Sequence, residues 1–198
     1  MNTRNTAIGS NTIGTTSGKL RSTDKSANSQ SSAAIAYAAL AALPFTTDLS
    51  GHDLGTVGTL TPGVYKFSSS AQLTGALTLD FAGNPDQPFV FQIGSALTTA
   101  SSATVNVLNG GPNSAVYWEI GTSATLGSST TFAGNILADQ SITLNSASAI
   151  LCGRAITLNA AIALNITTVS NDCAAGGDFA TGRSDFGSGG FSGTISHS

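Results

Sequence analysis

The sequence predicts an all-β chain with one α-helix, organised as a parallel β-helix (β-solenoid) with the helix as a covering element. Three observations carry this expectation. Short β-prone runs of similar sequence recur at roughly 20-residue spacing. A single alanine-rich segment ends at a proline. The composition is poor in charge and rich in Ser and Thr.

The 198 residues suffice for one domain with a sizeable core. Hydrophobic residues make up 40% but charged residues only 9%, so the surface must be built from hydroxyls and small side chains. The seven Lys and Arg are scattered singly in a chain of net charge −3. They form no stripe that could track a phosphate backbone, which argues against nucleic acid as a partner. No apolar run reaches the ~20 residues needed to cross a bilayer, so no membrane partner is expected. The opening residues MNTRNTAIGS lack the apolar stretch of a signal peptide.

In chain order, residues 1–30 are polar and without hydrophobic periodicity, and read as a poorly ordered tail or loosely held cap. The stretch SSAAIAYAALAAL follows. Ser31 or Ser32 can act as N-cap, the alanines and leucines are strong helix formers, and Pro44 is the stop. A helix over about 32–43 is expected. Ala36, Leu40 and Leu43, with Ile35 and Ala39 beside them, give it a face able to lie along a larger apolar surface.

From Leu54 to Val169 the pattern becomes short runs of Val, Ile, Leu, Phe and Thr broken by Gly, Asn and Ser. The runs LTGALTLD, LTTASSATVNVL, ATLGSSTTFAGNIL and ITLNSASAILCGRAI resemble one another, and IALNITTV echoes them. A second unit, GVYKF, FVFQIG and AVYWEIG, precedes several of them. Equivalent Thr74, Thr98, Thr125, Thr143 and Ala163 are 24, 27, 18 and 20 residues apart. A β-sandwich is the alternative, but it would call for tight hairpin turns, of which Asn109-Gly110-Gly111 is the only good example. In a solenoid, Leu77, Val105, Phe132 and Ile150 would stack inward.

Little in the repeats suggests chemistry. Solenoid enzymes that cleave polysaccharides need clustered carboxylates or basic groups. Lys66, Asp80, Asp86, Glu119, Asp139 and Arg154 instead occupy different repeat contexts, and His52 and His197 stand alone. No catalytic residue is expected. Tyr65, Tyr117 and Trp118 suit core or edge packing better than a sugar platform. Cys152 and Cys173 have neither CxxC spacing nor nearby histidines, which argues against zinc, and no cofactor is expected. Both a pair of buried thiols and a disulfide closing the C-terminal end fit the spacing.

The segments DLGTVGTLTPGVYKFSSSAQLTGALTLDFAG, FVFQIGSALTTASSATVNVLNG, VYWEIGTSATLGSSTTFAGNILA and SITLNSASAILCGRAITLN resemble type 1 microbial ice-binding proteins, the DUF3494 family. The resemblance runs from about Ser31 to Cys173. It implies an irregular β-solenoid with a long helix packed alongside over residues 31–173, followed by a Gly/Ser-rich tail at 174–198. It also implies secretion, an ice crystal surface as partner, and inhibition of ice growth and recrystallisation through a flat face. A solenoid with a helical flank has no need of a partner chain, so a monomer is expected. Two departures qualify what is carried over. Family members place a substantial β-rich segment before the helix, so this chain is expected to be N-terminally incomplete. The T-A/G-x-T/N motif of some active members has no match within the coils, which points to moderate activity.

On this basis the candidate ice-binding residues are Thr74 and Ala76, Ser101 and Ala103, Ser128 and Thr130, and Ser146 and Ser148. Several lie an even number of residues from an inward position. Strict alternation would put both on one side unless a corner or bulge intervenes. Thr98, Thr125 and Thr143 also align, in a context suggesting a corner, and are the second choice. An extracellular adhesin or glycan-binding solenoid is the alternative reading, although adhesins are usually longer and carry anchoring segments.

Overall fold

The computed structural model describes residues 23–111 and 114–170, with side chains from residue 30 onward. Among these residues the chain forms a helix, α1 (Thr23–Ala41), and then six stacked coils. The first coil has β1 (Thr47–Asp48) and β2 (Thr59–Leu60), with Asp53 bridging to Gln72 between them. The second has β3 (Gly63–Phe67), β4 (Ala71–Leu73) and β5 (Ala76–Asp80), and the third β6 (Phe89–Ile93), β7 (Leu97–Thr99) and β8 (Thr104–Leu108). The fourth has β9 (Val116–Ile120), β10 (Ala124–Leu126) and β11 (Thr131–Ala133). The fifth has β12 (Asn135–Ala138), β13 (Ile142–Leu144) and β14 (Ala149–Leu151), and the sixth β15 (Ala155–Thr157), β16 (Ile162–Leu164) and β17 (Thr168–Val169).

Equivalent strands pair in parallel into three sheets. Sheet A runs β1-β3-β6-β9-β12-β15, sheet B β4-β7-β10-β13-β16, and sheet C β2-β5-β8-β11-β14-β17. The fold is the expected parallel solenoid, and the register explains the repeat. Leu77 aligns with Val105, and Phe132 with Ile150, all buried in one interior ladder. A second ladder fills the interior behind sheet A. Tyr65, Phe91 and Trp118 stack at 5.3 and 4.0 Å between centroids, and Trp118 meets Phe132 at 4.8 Å. The indole N–H is satisfied by the Ala133 carbonyl at 3.0 Å, as a buried tryptophan requires. The packing role expected for Tyr65 and Trp118 holds.

The corners are tight, and each makes its own backbone demand. Between sheets B and C the chain turns through left-handed residues in successive coils, Gly75 (φ 83), Ser102 (φ 60), Ser129 (φ 60), Ala147 (φ 60) and Ile166 (φ 48). Between sheets C and A, β11 and β12 are separated by Gly134 alone. Its φ is +102, and an added Cβ would lie 2.8 Å from the Val116 carbonyl oxygen. Only glycine meets both conditions.

The helix differs from expectation in length and in facing. It begins at Thr23 rather than near residue 32, so Ser31 and Ser32 lie within it, both exposed, and the part of the expected N-terminal tail from residue 23 is helical. Serine is a middling helix former and no breaker. Residues 1–22 and 171–198, which hold most of the expected tails, lie outside the described residues.

The buried stripe is Ala33 (4% exposed) with half-buried Gln30, Ala36, Tyr37 and Leu40, whereas Ile35 is 71% exposed, Leu43 is exposed and Ala39 faces outward. Three polar clasps select this face. Gln30 Nε2 donates to the Leu158 carbonyl (2.8 Å), the Tyr37 hydroxyl to that of Ile120 (3.4 Å), and Gln92 Nε2 to those of Leu40 and Leu43 (both 2.8 Å). The helix therefore descends sheet A from the sixth coil toward the first. Its 19 residues span ~28 Å at 1.5 Å per residue, close to the ~24 Å of six strands at the usual spacing.

Candidate functional site

Helix α1 covers sheet A, and all five residues of β6 are buried. Two outward faces are left, on sheets B and C, and they differ in regularity. The strands of sheet B are all three residues long and in register. The first four of them, in the second to fifth coils, bury their first and third residues, so that Ala71, Leu97, Ala124 and Ile142 stack on one side of the strand centre and Leu73, Thr99, Leu126 and Leu144 on the other. The middle residue points outward. This central column reads Gln72, Thr98, Thr125, Thr143 and Ala163.

None of the three column threonines has its hydroxyl engaged by another described residue. On one flank stand Ser70, Ala96, Ser123, Ser141 and Ala161, where the Ser123 and Ser141 hydroxyls share a 2.9 Å bond. On the other stand Thr74, Ala100, Gly127, Asn145 and Asn165. Gly127 belongs there because a Cβ would lie 2.6 Å from both the carbonyl carbon and oxygen of Ala100. The resulting grid holds no ionisable group. Asp53 lies beneath its first coil, accepting the amides of Gly55 (2.8 Å) and Thr74 (2.9 Å). Burial pushes that carboxyl up, but those hydrogen bonds outweigh it and hold it below the usual range.

Sheet C tapers. Strands β5 and β8 have five residues, β11 and β14 three, and β17 two. Its outward positions include Asp80, Asn106 and the exposed Leu108. It presents neither a constant width nor an uncharged surface.

The eight candidate residues fall along the corner between sheets B and C. Thr74 and Ala76 are exposed on either side of that corner in the second coil, Ser101 is exposed in the turn of the third, and Ser128 and Ser146 are half-buried in the turns of the next two. Ala103, Thr130 and Ser148 require correction, because they point inward and are 0%, 0% and 1% exposed. The Thr130 hydroxyl lies 3.0 Å from that of Thr99 and donates to the Ala100 carbonyl (3.1 Å), while Ser148 Oγ donates to the Asn145 carbonyl (2.6 Å). These hydroxyls tie the turn together from within. Ala103, Thr130 and Ser148 thus obey strict alternation from Val105, Phe132 and Ile150, and the left-handed corner carries outward only the turn residues Ser101, Ser128 and Ser146.

The second-choice threonines are the central residues of in-register strands rather than corner residues. Their repeat spacing was the available signal; the flanking Ser70, Ser123, Ser141, Asn145 and Asn165 carried none that sequence reasoning used. The three nearest approaches to the T-A/G-x-T/N motif, beginning at Thr74, Thr99 and Thr122, all run across a corner rather than along one strand.

The other polar groups serve the scaffold. Glu119, 6% exposed beneath the helix, has its carboxyl pushed up by burial and partly drawn back by the Tyr37 hydroxyl. Among the described residues, no three His, Cys, Asp or Glu side chains gather to hold a metal. Cys152 is buried and disulfide-bonded, and the chain's only other cysteine, Cys173, lies outside the described residues.

The family model described as ice-binding-like matches residues 2–170. An ice-binding protein of a Nostoc species is 55% identical over 148 residues, which are 74% of this chain and 54% of the Nostoc protein. Ice-binding protein 1 of Shewanella frigidimarina is 34% identical over 141 residues, 69% of this chain but 16% of that protein. The chain thus spans about half or less of the length of these curated relatives. The crystal structure of the ice-binding protein from the Antarctic ascomycete Antarctomyces psychrotrophicus aligns with a TM-score of 0.70 at 33% identity, covering 74% of this chain and 71% of that one. The DUF3494 domain of the Shewanella protein aligns at 0.66 and 31% identity, covering 72% and 61%. With most of its length matched by one family model, and its fold aligned with solved structures at over 30% identity, the chain belongs to the ice-binding-like family.

Proposed function

We propose that the chain adsorbs to ice through the outward face of sheet B, slowing crystal growth and recrystallisation. The observation that carries this reading is the unengaged column of Thr98, Thr125 and Thr143 on an in-register sheet whose outward grid holds no ionisable group. Strand spacing sets neighbouring rows about 4.8 Å apart, and alternate residues along a strand about 6.5–7 Å apart. Such a grid orders water at regular intervals. Threonine hydroxyls hydrogen-bond that water while their methyls and the intervening alanines restrict its other arrangements. Each contact is weak, and adsorption rests on their number.

Rigidity supports this, because a face already ordered by stacked coils loses little conformational entropy on binding. Thr74 and the corner residues Ala76, Ser101, Ser128 and Ser146 form the edge of the face in this reading. Adsorption involves no covalent step, so the proposed activity is not enzymatic, and the chain acts as a monomer. The Cys152 disulfide supports a secreted, oxidising setting.

The test is thermal hysteresis and recrystallisation inhibition by the purified chain, compared with Thr125→Tyr, Thr143→Tyr and a sheet C control, Thr131→Tyr. Both sheet B variants should lose most activity while keeping the wild-type circular dichroism spectrum, and the control should keep it. A folded wild type that leaves ice growth unchanged defeats the reading. Active sheet B variants beside an inactive control would move the surface to sheet C.

A further inference from the structure

We propose that Asn109 is a site of spontaneous deamidation, restrained by the carboxylate of Asp80. Asn109 follows β8 at the corner between sheets C and A, is exposed, has a φ of 52° and precedes Gly110. No other asparagine in the chain precedes a glycine. Deamidation begins when the backbone nitrogen of the following residue attacks the asparagine side-chain carbonyl carbon, and glycine leaves that approach unobstructed because it has no Cβ. Among the described residues no hydrogen bond engages the Gly110 amide, so the nucleophile is uncommitted. The side chain is not. Asn109 Nδ2 donates to Asp80 Oδ1 at 2.8 Å, while the same oxygen accepts the Ala82 amide at 2.8 Å.

The Gly110 nitrogen forms a bond to Asn109 Cγ and loses its proton, the Cγ–Nδ2 bond breaks, and ammonia leaves a cyclic imide. Water then opens the ring at one of its two carbonyls, leaving aspartate or isoaspartate. Both products lose the amide donor to Asp80 and gain a carboxylate; in aspartate it stands where the donor stood, and like charges at that distance repel. Isoaspartate also routes the main chain through the former side chain, lengthening the corner. The residues just downstream seat this corner on the previous coil, with Gly111 N donating to Ser114 Oγ (2.6 Å) and Ser114 Oγ to the Pro85 carbonyl (2.7 Å). The modification therefore loosens the seam between the second and third coils.

The test is to age the folded full chain at mildly alkaline pH and follow each asparagine by peptide mass spectrometry, with an isoaspartate assay. Residue 109 should convert first, giving both products. Gly110→Ala should slow it by about tenfold through the added Cβ, and Asp80→Ala should speed it. Asn109→Gln, which keeps a side-chain amide donor, should remove the early isoaspartate signal without altering the circular dichroism spectrum. Retention of the Asn109 amide after other asparagines have converted, or conversion at the wild-type rate in Gly110→Ala, overturns the site. An unchanged rate in Asp80→Ala overturns the restraint.

Discussion

Replacing Thr130 with valine removes one hydroxyl from inside the turn between sheets B and C and leaves the side-chain shape nearly unchanged. Thr130 is fully buried, and its Oγ1 donates to the Ala100 carbonyl at 3.1 Å and meets Thr99 Oγ1 at 3.0 Å. Thr99 Oγ1 in turn accepts the Gly127 amide at 2.9 Å. With the Thr130 proton directed to Ala100, the Thr99 proton points to Thr130. Valine therefore ends two hydrogen bonds and leaves a buried hydroxyl proton without an acceptor. At about 1 kcal/mol per bond, with a further cost for the stranded group, the loss is about 2–3 kcal/mol. Burial of the new methyl returns about 0.8 kcal/mol. The net expectation is a loss of about 1–2 kcal/mol, seen as a lower urea midpoint with an unchanged slope, or as a fall of about 2–4 °C in Tm per kcal/mol for a domain of this size. Thr130→Tyr should be far worse, because the site has no room for a ring. The variant should keep its ice activity in the cold, where it remains folded. Wild-type stability combined with lost ice activity in Thr130→Val would refute the reasoning, since it would place the hydroxyl on the working surface.

Three other perturbations probe different parts of the scaffold. Gly127→Ala should cost about 1–3 kcal/mol by overpacking, because its Cβ would press on the Ala100 carbonyl; the forced separation of two rows should also reduce thermal hysteresis, measured on the folded variant. Glu119→Gln tests the helix clasp through pH: the folded carboxyl has a raised pKa, so its favourable contribution is present below the unfolded-state value and is lost as pH rises through the folded value. Urea titrations across that range should show a decline in the wild type that is absent in the variant. Reducing the Cys152 disulfide should cost about 3 kcal/mol if the closed loop is the roughly 20 residues to Cys173, measured as the difference in Tm with and without reductant; equal values would show that it carries no stability.

The architecture was legible because coil closure leaves a periodic record. Leu77, Val105, Phe132 and Ile150 recur where the chain returns to the same side of the core, and the XTL units recur where it crosses sheet B. The facing of residues was harder to read. Period-2 alternation fails at each left-handed corner, and Ser102, Ser129 and Ala147 do not announce φ > 0 as glycine or asparagine would. A run such as Thr98 to Thr104 therefore looks continuous, with Thr99 and Ala103 both inward, although the bend between them carries Ser101 outward. The helix was misjudged for a related reason. Local sequence marks Ile35 and Leu43 as its apolar residues, yet its orientation follows from Gln30, Tyr37 and Gln92, whose partners lie more than 45 residues away.

The placement of the helix also explains why sheet B is free to be so regular. Sheet A carries large outward or flanking groups, including Val90, Gln92, Glu119 and Leu137, and burying them under α1 contributes apolar area and fixes the stack along its height. Sheet C absorbs the length variation, with five-residue strands in two coils and an extended connection from Phe81 to Pro88 before the next. Irregularity is thus confined to two sides of the triangle. Sheet B is left with three-residue strands whose ends are set by corners at both sides. In four of its five rows the middle residue is polar, and in three of those it is threonine, a β-branched residue that packs well on a pleated surface. A charged insertion at a sheet B corner would disturb every later row, whereas one in the 81–88 connection would leave the face unaltered. Insertions of equal length at these two places should therefore separate the stability of the solenoid from the order of its face.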